Sequence, residues 1–316
     1  MDLTTRYLGL ALAHPFMSGA SPLTSDLDMV LRLEDAGAAA IVLPSLFEED
    51  IVAHDLARDR YLEHLHRVKQ RVHVPTIASL NGTAPEGWLQ YARFIEDSGA
   101  DAIELNFYHV PTDPTEAAAA VERRVIDIVA VLKESITIPL AVKLSSSYSS
   151  LPHLAAQLDC IGADGLVLFN RFYEPDFDPG LREPVLHLTL SDSSELPLRL
   201  RWLAILSSTV KASLAVTGGV HEPLDAVKAV MAGADGVQLV SALIKHGPSR
   251  LTLIRREFER WAEAHGYESL GDMRGCMNIA RCQTPEQFGR GNYVQALQSR
   301  ATDLSPHGGG SVCTAK

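Results

Sequence analysis

Four times in 316 residues the chain repeats nearly the same phrase: AGAAAIVL (36–43), SGADAIEL (98–105), IGADGLVL (161–168) and AGADGVQL (232–239). Each begins where a helical pattern stops at a glycine, and each ends in a short apolar run that lacks the alternation of a half-buried strand. Four other β-rich runs fall between them: HPFMSGAS (14–21), VPTIASLNG (74–82), IPLAVKLS (138–145) and SLAVTGGV (213–220). Helical patterns fill the gaps at about 25–36, 86–97, 116–134, 151–160, 198–210, 222–232 and 249–264, and "ARDRYLEHLHRVKQ" makes the stretch 50–73 helix-like as well. Strands buried on both faces and alternating with amphipathic helices indicate a parallel sheet. Eight such units predict a closed (β/α)8 barrel, because a doubly wound sheet needs neither eight units nor this even spacing.

One connection breaks the rhythm. RFYEPDFDPGLREPVLHLTLSDSSELP (171–197) is too long for an ordinary strand-to-helix loop and contains its own strand-like PVLHLTLS. It is expected to form an excursion over the barrel mouth, a lid or a wall. The barrel domain is assigned to residues 1–266. Beyond it, 267–316 reads as a C-terminal extension, helical in pieces with a helix start at Thr284-Pro-Glu-Gln, and SPHGGGSVCTAK is expected to be disordered.

Composition narrows the partners. With 28 basic and 39 acidic residues the formal charge is −11, and no basic stripe is present to track a phosphate backbone, which argues against nucleic acid. No segment approaches the roughly 18–20 apolar residues of a membrane span, and MDLTTRYLGL lacks the n- and h-regions of a signal peptide. Cys160, Cys276, Cys282 and Cys313 are widely spread and without zinc or iron-sulfur spacing. These features predict a cytoplasmic protein with reduced thiols. His54, His64, His66 and His73 cluster on the helix-like segment without a metal-binding pattern, so no metal site is expected there.

In a parallel barrel the chemistry collects at the carboxyl ends of the strands. Here those ends read Ser18-Gly19-Ala20-Ser21, Pro44-Ser45, Asn81-Gly82, Asn106-Phe107-Tyr108-His109, Lys143-Leu144-Ser145, Asn170-Arg171, Thr217-Gly218-Gly219 and Gln238-Leu239-Val240-Ser241. The glycines after strand seven, with the run from strand eight straight into a short helix, predict a phosphate cradle; a ligand-free tight turn is the plain alternative. Lys143 falls inside a run that should point into the mouth, where a charge must find a partner. That partner is either a salt-bridge carboxylate or an electron-rich cofactor or substrate. The fourth strand delivers an amide, a phenol and an imidazole almost together, and an imidazole of pKa about 6.5 is well poised as a base.

Taken in order, HPFMSGAS, ASLNG, ELNFYHVP, AVKL, the Asn after strand six, TGGV and QLVSAL resemble the dihydroorotate dehydrogenase family of FMN barrels, over roughly residues 3–275. The resemblance implies an FMN-binding barrel that oxidises a CH–CH bond beside a carbonyl or reduces the corresponding alkene, as in dihydroorotate to orotate in pyrimidine biosynthesis. It implies that Gly218, Gly219 and Ser241 hold the FMN phosphate. Gly19 and Ala20 would approach the isoalloxazine edge, with Asn81 and Asn106 also on the cofactor side, and Lys143 would face N1 and O2. It further implies that Asn106 and Asn170 orient the substrate.

The family's loop after strand four reads Asn-Leu-Ser-Cys-Pro-Asn, with the Cys (or Ser) as base. Alignment on Leu105-Asn106 puts His109 at the Cys position, Tyr108 beside it and Pro111 at the second Asn, making His109 or Tyr108 the expected proton carrier. Leu43 stands where cysteine-type members carry a Lys. A small-molecule substrate, a soluble electron acceptor or partner subunit, and a possible homodimer complete the expectation. Two rivals remain open at this stage: a flavin-free barrel lyase or isomerase using the phosphate cradle and Lys143, and a non-catalytic flavoprotein-like subunit.

Overall fold

The computed structural model describes residues 1–49, 55–82, 85–283 and 285–288. The chain opens with a hairpin, β1 (Thr5–Tyr7) against β2 (Leu10–Leu12), and then enters the barrel with β3 (Phe16–Ser18). The barrel units follow in sequence: α1 (Leu27–Asp35), β4 (Ile41–Phe47), α2 (Asp55–Arg71), β5 (Thr76–Asn81), α3 (Pro85–Asp97), β6 (Ala102–Asn106), α4 (Ala118–Ser135), β7 (Leu140–Leu144), α5 (Leu151–Cys160) and β8 (Gly165–Leu168). The excursion contributes β9 (Asp176–Asp178) and β10 (Glu183–Val185). Then come α6 (Leu196–Leu206), β11 (Ser213–Thr217), α7 (Pro223–Ala232), β12 (Gly236–Leu239), α8 (Ser241–His246), α9 (Ser249–Ala264) and the short α10 (Leu270–Met273).

Eight parallel strands close in the order β11-β12-β3-β4-β5-β6-β7-β8, as the fourfold repeat predicts. Each repeat ends a helix at a residue of positive φ, Gly37, Gly99, Gly162 or Gly233, before the next strand begins. The segment expected to be helix-like after the second barrel strand is α2; His54 and its neighbours at 50–54 lie outside the described residues.

Alternation along the strands sorts side chains into lumen and shell. The lower lumen is built from small residues, among them Ala102, Ala141, Val167 and Ala215, and the space they leave is filled by Tyr7 and Leu8 from the hairpin. A β-carbon on Gly165 would collide with Leu8, so the small residue there is a packing requirement. Tyr7 and Leu8 are fully buried, and side chains of this size stabilise by about 1.5–3 kcal/mol each. One layer higher the lumen turns polar, with Ser79, Glu104, Lys143 and Gln238.

The excursion departs from expectation in one respect. Only Pro184 and Val185 of PVLHLTLS join a strand, β10, paired antiparallel with β9. Beyond them Leu186 and Leu188 stand 90% and 64% exposed, because the alternating run has no further strand to pair with. The extension lies against the barrel: Asp2 bridges to Ser269, Gly275 and Met277 donate to the α7 carbonyls of Val230 and Met231, and Ile279 donates to Ala204. Pro285–Phe288 forms one 3-10 turn, while Thr284 and the expected disordered tail lie outside the described residues. Among the described residues no helix is long and apolar enough to cross a membrane.

Candidate active site

At the carboxyl ends of the strands opens a cavity of about 660 Å³. Asn81, Asn106, Lys143 and Asn170 reach it from β5, β6, β7 and the end of β8, Ala20 and Pro44 from the loops after β3 and within β4, and Arg171, Tyr173 and Leu188 from the excursion. The excursion is therefore a wall of the mouth.

The floor of the cavity is a polar relay. Lys143 Nζ lies 3.2 Å from Glu104 Oε1, and Gln238 Nε2 donates to Glu104 Oε2 at 2.5 Å. Register explains the meeting: Glu104 sits on β6 two residues before Asn106, which pairs with Lys143 of β7. Asn170 donates to the carbonyls of Phe107 (2.8 Å) and Lys143 (3.2 Å), fixing its amide against the ends of β6 and β7. Asn106 Oδ1 and Gln238 Oε1 are buried and have no hydrogen-bond partner among the described residues. A buried acceptor left without a donor costs about 1–3 kcal/mol, so an acceptor in this position is poised for a ligand. Leu43, at the family's Lys position, is fully buried on the shell side of the barrel.

Tyr108 and His109, adjacent in sequence, face different spaces. Tyr108 lines the mouth, stacks on Phe172 with ring centroids 4.5 Å apart, and its Oη accepts the Tyr173 N–H at 2.6 Å. His109 lines a neighbouring cavity of about 70 Å³ with Arg124, Ser145, Ser147 and Tyr148. Its Nε2 lies 3.4 Å from Arg124 Nη1 and 3.7 Å from Glu116 Oε2. Pro111 lines that second cavity too.

Across the mouth, Gly218 and Gly219 take positive φ, 77° and 81°. A β-carbon on Gly219 would lie 2.6 Å from Leu196 N, which with its positive φ restricts the position to glycine, and one on Gly19 would lie 2.7 Å from a Val240 methyl, which would have to move. Around them lies a network that sequence reasoning missed, centred on Ser191 at the end of the excursion. Gly219 N–H donates to Ser191 Oγ (3.4 Å), Ser191 N–H donates to Ser241 Oγ (3.1 Å), and Lys245 Nζ donates to Ser191 O (2.7 Å). His221 Nε2 is 3.1 Å from Ser191 Oγ; burial, and then the Lys245 charge, hold its imidazole below the ordinary pKa. The signal was available in SDSSELP, a hydroxyl-rich helix start in which Asp192 accepts the Ser194 N–H, but nothing local says what that start faces.

The clustered histidines go elsewhere. His64 Nε2 meets the Thr24 carbonyl, His66 meets Gln70, and the His73 N–H donates to Glu34. Among the described residues no three His, Cys, Asp or Glu side chains come together.

The architecture defines a (β/α)8 barrel with a polar mouth, a buried cation on its floor and a glycine cradle at one side. A sequence profile of dihydroorotate dehydrogenase matches residues 54–261. The chain is 28% identical over 298 residues to a dihydroorotate dehydrogenase B (NAD(+)), catalytic subunit, from Thermoplasma acidophilum, covering 87% of this chain and 98% of the relative. It is 30% identical over 220 residues to the protein so named from Pelobacter propionicus (66% and 69% covered), and 26% identical over 310 residues to that of Geobacter sp. M21 (88% and 99%). The chain belongs to the dihydroorotate dehydrogenase family, a family of oxidoreductases that in general depend on FMN. Membership favours the oxidoreductase reading over the flavin-free lyase or isomerase.

The residues present fit that cofactor. An orphaned acceptor at Asn106 Oδ1 and a buried ammonium at Lys143 border a mouth cavity of about 660 Å³, which suits an electron-poor ring carrying an N–H, and the glycine turn at Gly218 and Gly219 lies beside the start of α8.

Proposed function

We propose that this chain is an FMN-dependent oxidoreductase acting on a CH–CH bond beside a carbonyl, with dihydroorotate the first substrate to test. The observation that carries the reading is Lys143, a buried ammonium with one partner among the described residues and a place in the mouth cavity. FMN bound in the mouth would supply the hydride acceptor. Gly218, Gly219, Ser241 and, in addition, Ser191 and Lys245 would hold its phosphate, with Gly19 and Ala20 allowing close approach at the opposite edge. Asn81 and Asn106 would hydrogen-bond the ring. Lys143 stabilises negative charge that develops beside it, because a fixed cation in a poorly solvated site needs no reorganisation.

Asn106 and Asn170 would orient the substrate, Asn106 through its amide N–H toward the carbonyl and Asn170, whose N–H groups are given to Phe107 and Lys143, through Oδ1 toward a substrate N–H. We assign the proton to Tyr108: its oxygen accepts the Tyr173 N–H, so its O–H can give a proton to carbon when the alkene is reduced, and in the oxidising direction the phenolate, held by that same N–H, would take the proton from carbon. His109, beside Arg124 and Glu116, is the second candidate for that role. The relatives named as NAD(+)-type catalytic subunits support a partner subunit or soluble molecule as the electron acceptor.

The test is anaerobic. Yellow, FMN-loaded protein mixed with dihydroorotate should bleach as the bound chromophore is reduced. Protein that stays colourless after FMN is added would sink the reading, while a yellow protein bleached by other carbonyl compounds but not by dihydroorotate would keep the chemistry and replace the substrate.

A further inference from the structure

We infer that Glu104 is a positioning residue that sets the electron affinity of the site by fixing Lys143 in one place and cancelling part of its charge; the inference rests on the proposed FMN reading. Glu104 is 0% exposed and lies within the barrel lumen, between the apolar layer of Ala102, Ala141 and Tyr7 below and the mouth above. Its two oxygens are divided between two strands, Oε1 toward Lys143 of β7 (3.2 Å) and Oε2 toward Gln238 of β12 (2.5 Å).

Packing does not explain a carboxylate here. An ion pair taken out of water is often no more stable than apolar residues of the same volume, so its place in the lumen is weak evidence for stability. What it does provide is a fixed ammonium. A lysine side chain has four rotatable bonds and a compact charge, and without an acceptor below it the amine would move toward any anion in the mouth. Glu104 accepts one of its three protons from beneath and leaves the others for the cavity. Gln238 holds the carboxylate from the other side, so the charge cannot swing.

The electrostatic consequence has a definite sign. A negative charge directly beneath the cation weakens the positive potential at the mouth, so removing it makes the site more electron-withdrawing. Replacing the cation while leaving Glu104 does the opposite.

Sulfite reads this without substrate turnover. Its sulfur lone pair bonds to flavin N5, and the displaced electron pair comes to rest toward N1 and O2, so the adduct's dissociation constant reports the local potential. FMN-loaded wild type, Glu104→Gln, Lys143→Met and the double variant would be titrated with sulfite and followed by loss of the visible flavin band. Glu104→Gln keeps the size and a hydrogen-bonding oxygen but not the charge. It should bind sulfite at least about tenfold more tightly than wild type. The double variant, which has neither buried charge and is the safer one to fold, should bind at least about tenfold more tightly than Lys143→Met alone. Equal sulfite affinity within either of these pairs overturns the role of Glu104. Wild type that takes up no FMN overturns the reading beneath it, which is a separate result.

Discussion

Two ion pairs sit at opposite ends of the barrel, the upper one buried and the lower one partly exposed at its arginine, and they are completed to different degrees. At the bottom, just before β12, Asp235 Oδ2 accepts the Leu214 N–H (2.8 Å) and Arg274 Nη2 (2.7 Å), while Oδ1 lies against Arg274 Nε. Burial pushes the Asp235 carboxyl upward and Arg274 opposes it. That pair clips the C-terminal segment to the barrel floor, and its acceptors are used. At the top, Lys143 has one carboxylate partner, and a cavity lies beside it. The lower carboxylate has both oxygens engaged by Arg274 and the backbone, whereas the upper ammonium keeps protons that face a cavity, as the proposed ligand site requires. The lumen changes in the same direction, apolar and filled below by Tyr7 and Leu8, polar above, where Asn106 Oδ1 and Gln238 Oε1 are among the buried atoms without a partner among the described residues.

The largest expected effect separates the two ends most clearly. Lys143→Met leaves Glu104 buried without its cation and should destabilise the fold by about 3–5 kcal/mol in urea unfolding. It should also slow reduction of the bound flavin. If stability falls but the reduction rate does not, the upper pair is no different in kind from the lower one.

A second buried titratable group at the lower end tests the structural half. His14 precedes β3, and its Nδ1 accepts the Phe16 N–H at 3.2 Å, so it must stay neutral. Burial, and then the Arg255 charge, push its pKa down to about 4. Because the folded-state value lies below the unfolded one, the unfolded chain binds the extra proton between the two. Stability is therefore complete above about pH 6.5 and declines as pH falls toward about 4, by about 3 kcal/mol in all. Urea midpoints compared across that window should show this slope in wild type and lose it in His14→Gln, with FMN affinity unchanged by the substitution.

Within the mouth, Tyr108→Phe should slow substrate reduction of the flavin about a hundredfold, whereas His109→Ala should cost less than about tenfold. Anaerobic stopped-flow absorbance measures both, and the reverse order would transfer the proton to His109. The smallest effect belongs to the lower pair: Arg274→Met should cost about 2 kcal/mol, less than a fully buried pair would, because its side chain is 36% exposed. It should leave FMN binding as it was.

The repeats made the barrel legible because each carries its own stop glycine and its own buried strand, which are local signals. The positions of Asn106, Lys143, Gly218 and Gly219 at the ends of their strands could be read for the same reason, since a strand's end is visible in the strand itself. Glu104 as the partner of Lys143, and Ser191 within the cradle, could not. The first depends on the register between β6 and β7, and the second on where a 27-residue connection, 171–197, returns to the barrel. The hairpin that plugs the floor was invisible as well, because MDLTTRYLGL has no pattern that says Tyr7 and Leu8 will fill a lumen lined by alanines. The divergence of Tyr108 from His109 is a matter of loop geometry that no periodicity encodes.

The most direct measurement of the central claim is retention of FMN. Purified chain is mixed with excess FMN, passed through a desalting column and scanned in the visible range, with Gly219→Ala alongside. Positive φ and the clash with Leu196 should strain that variant by about 1–3 kcal/mol. The account predicts a stoichiometric flavin band on wild type and a much weaker one on the folded variant; wild type that emerges colourless, with all FMN left behind, would contradict it.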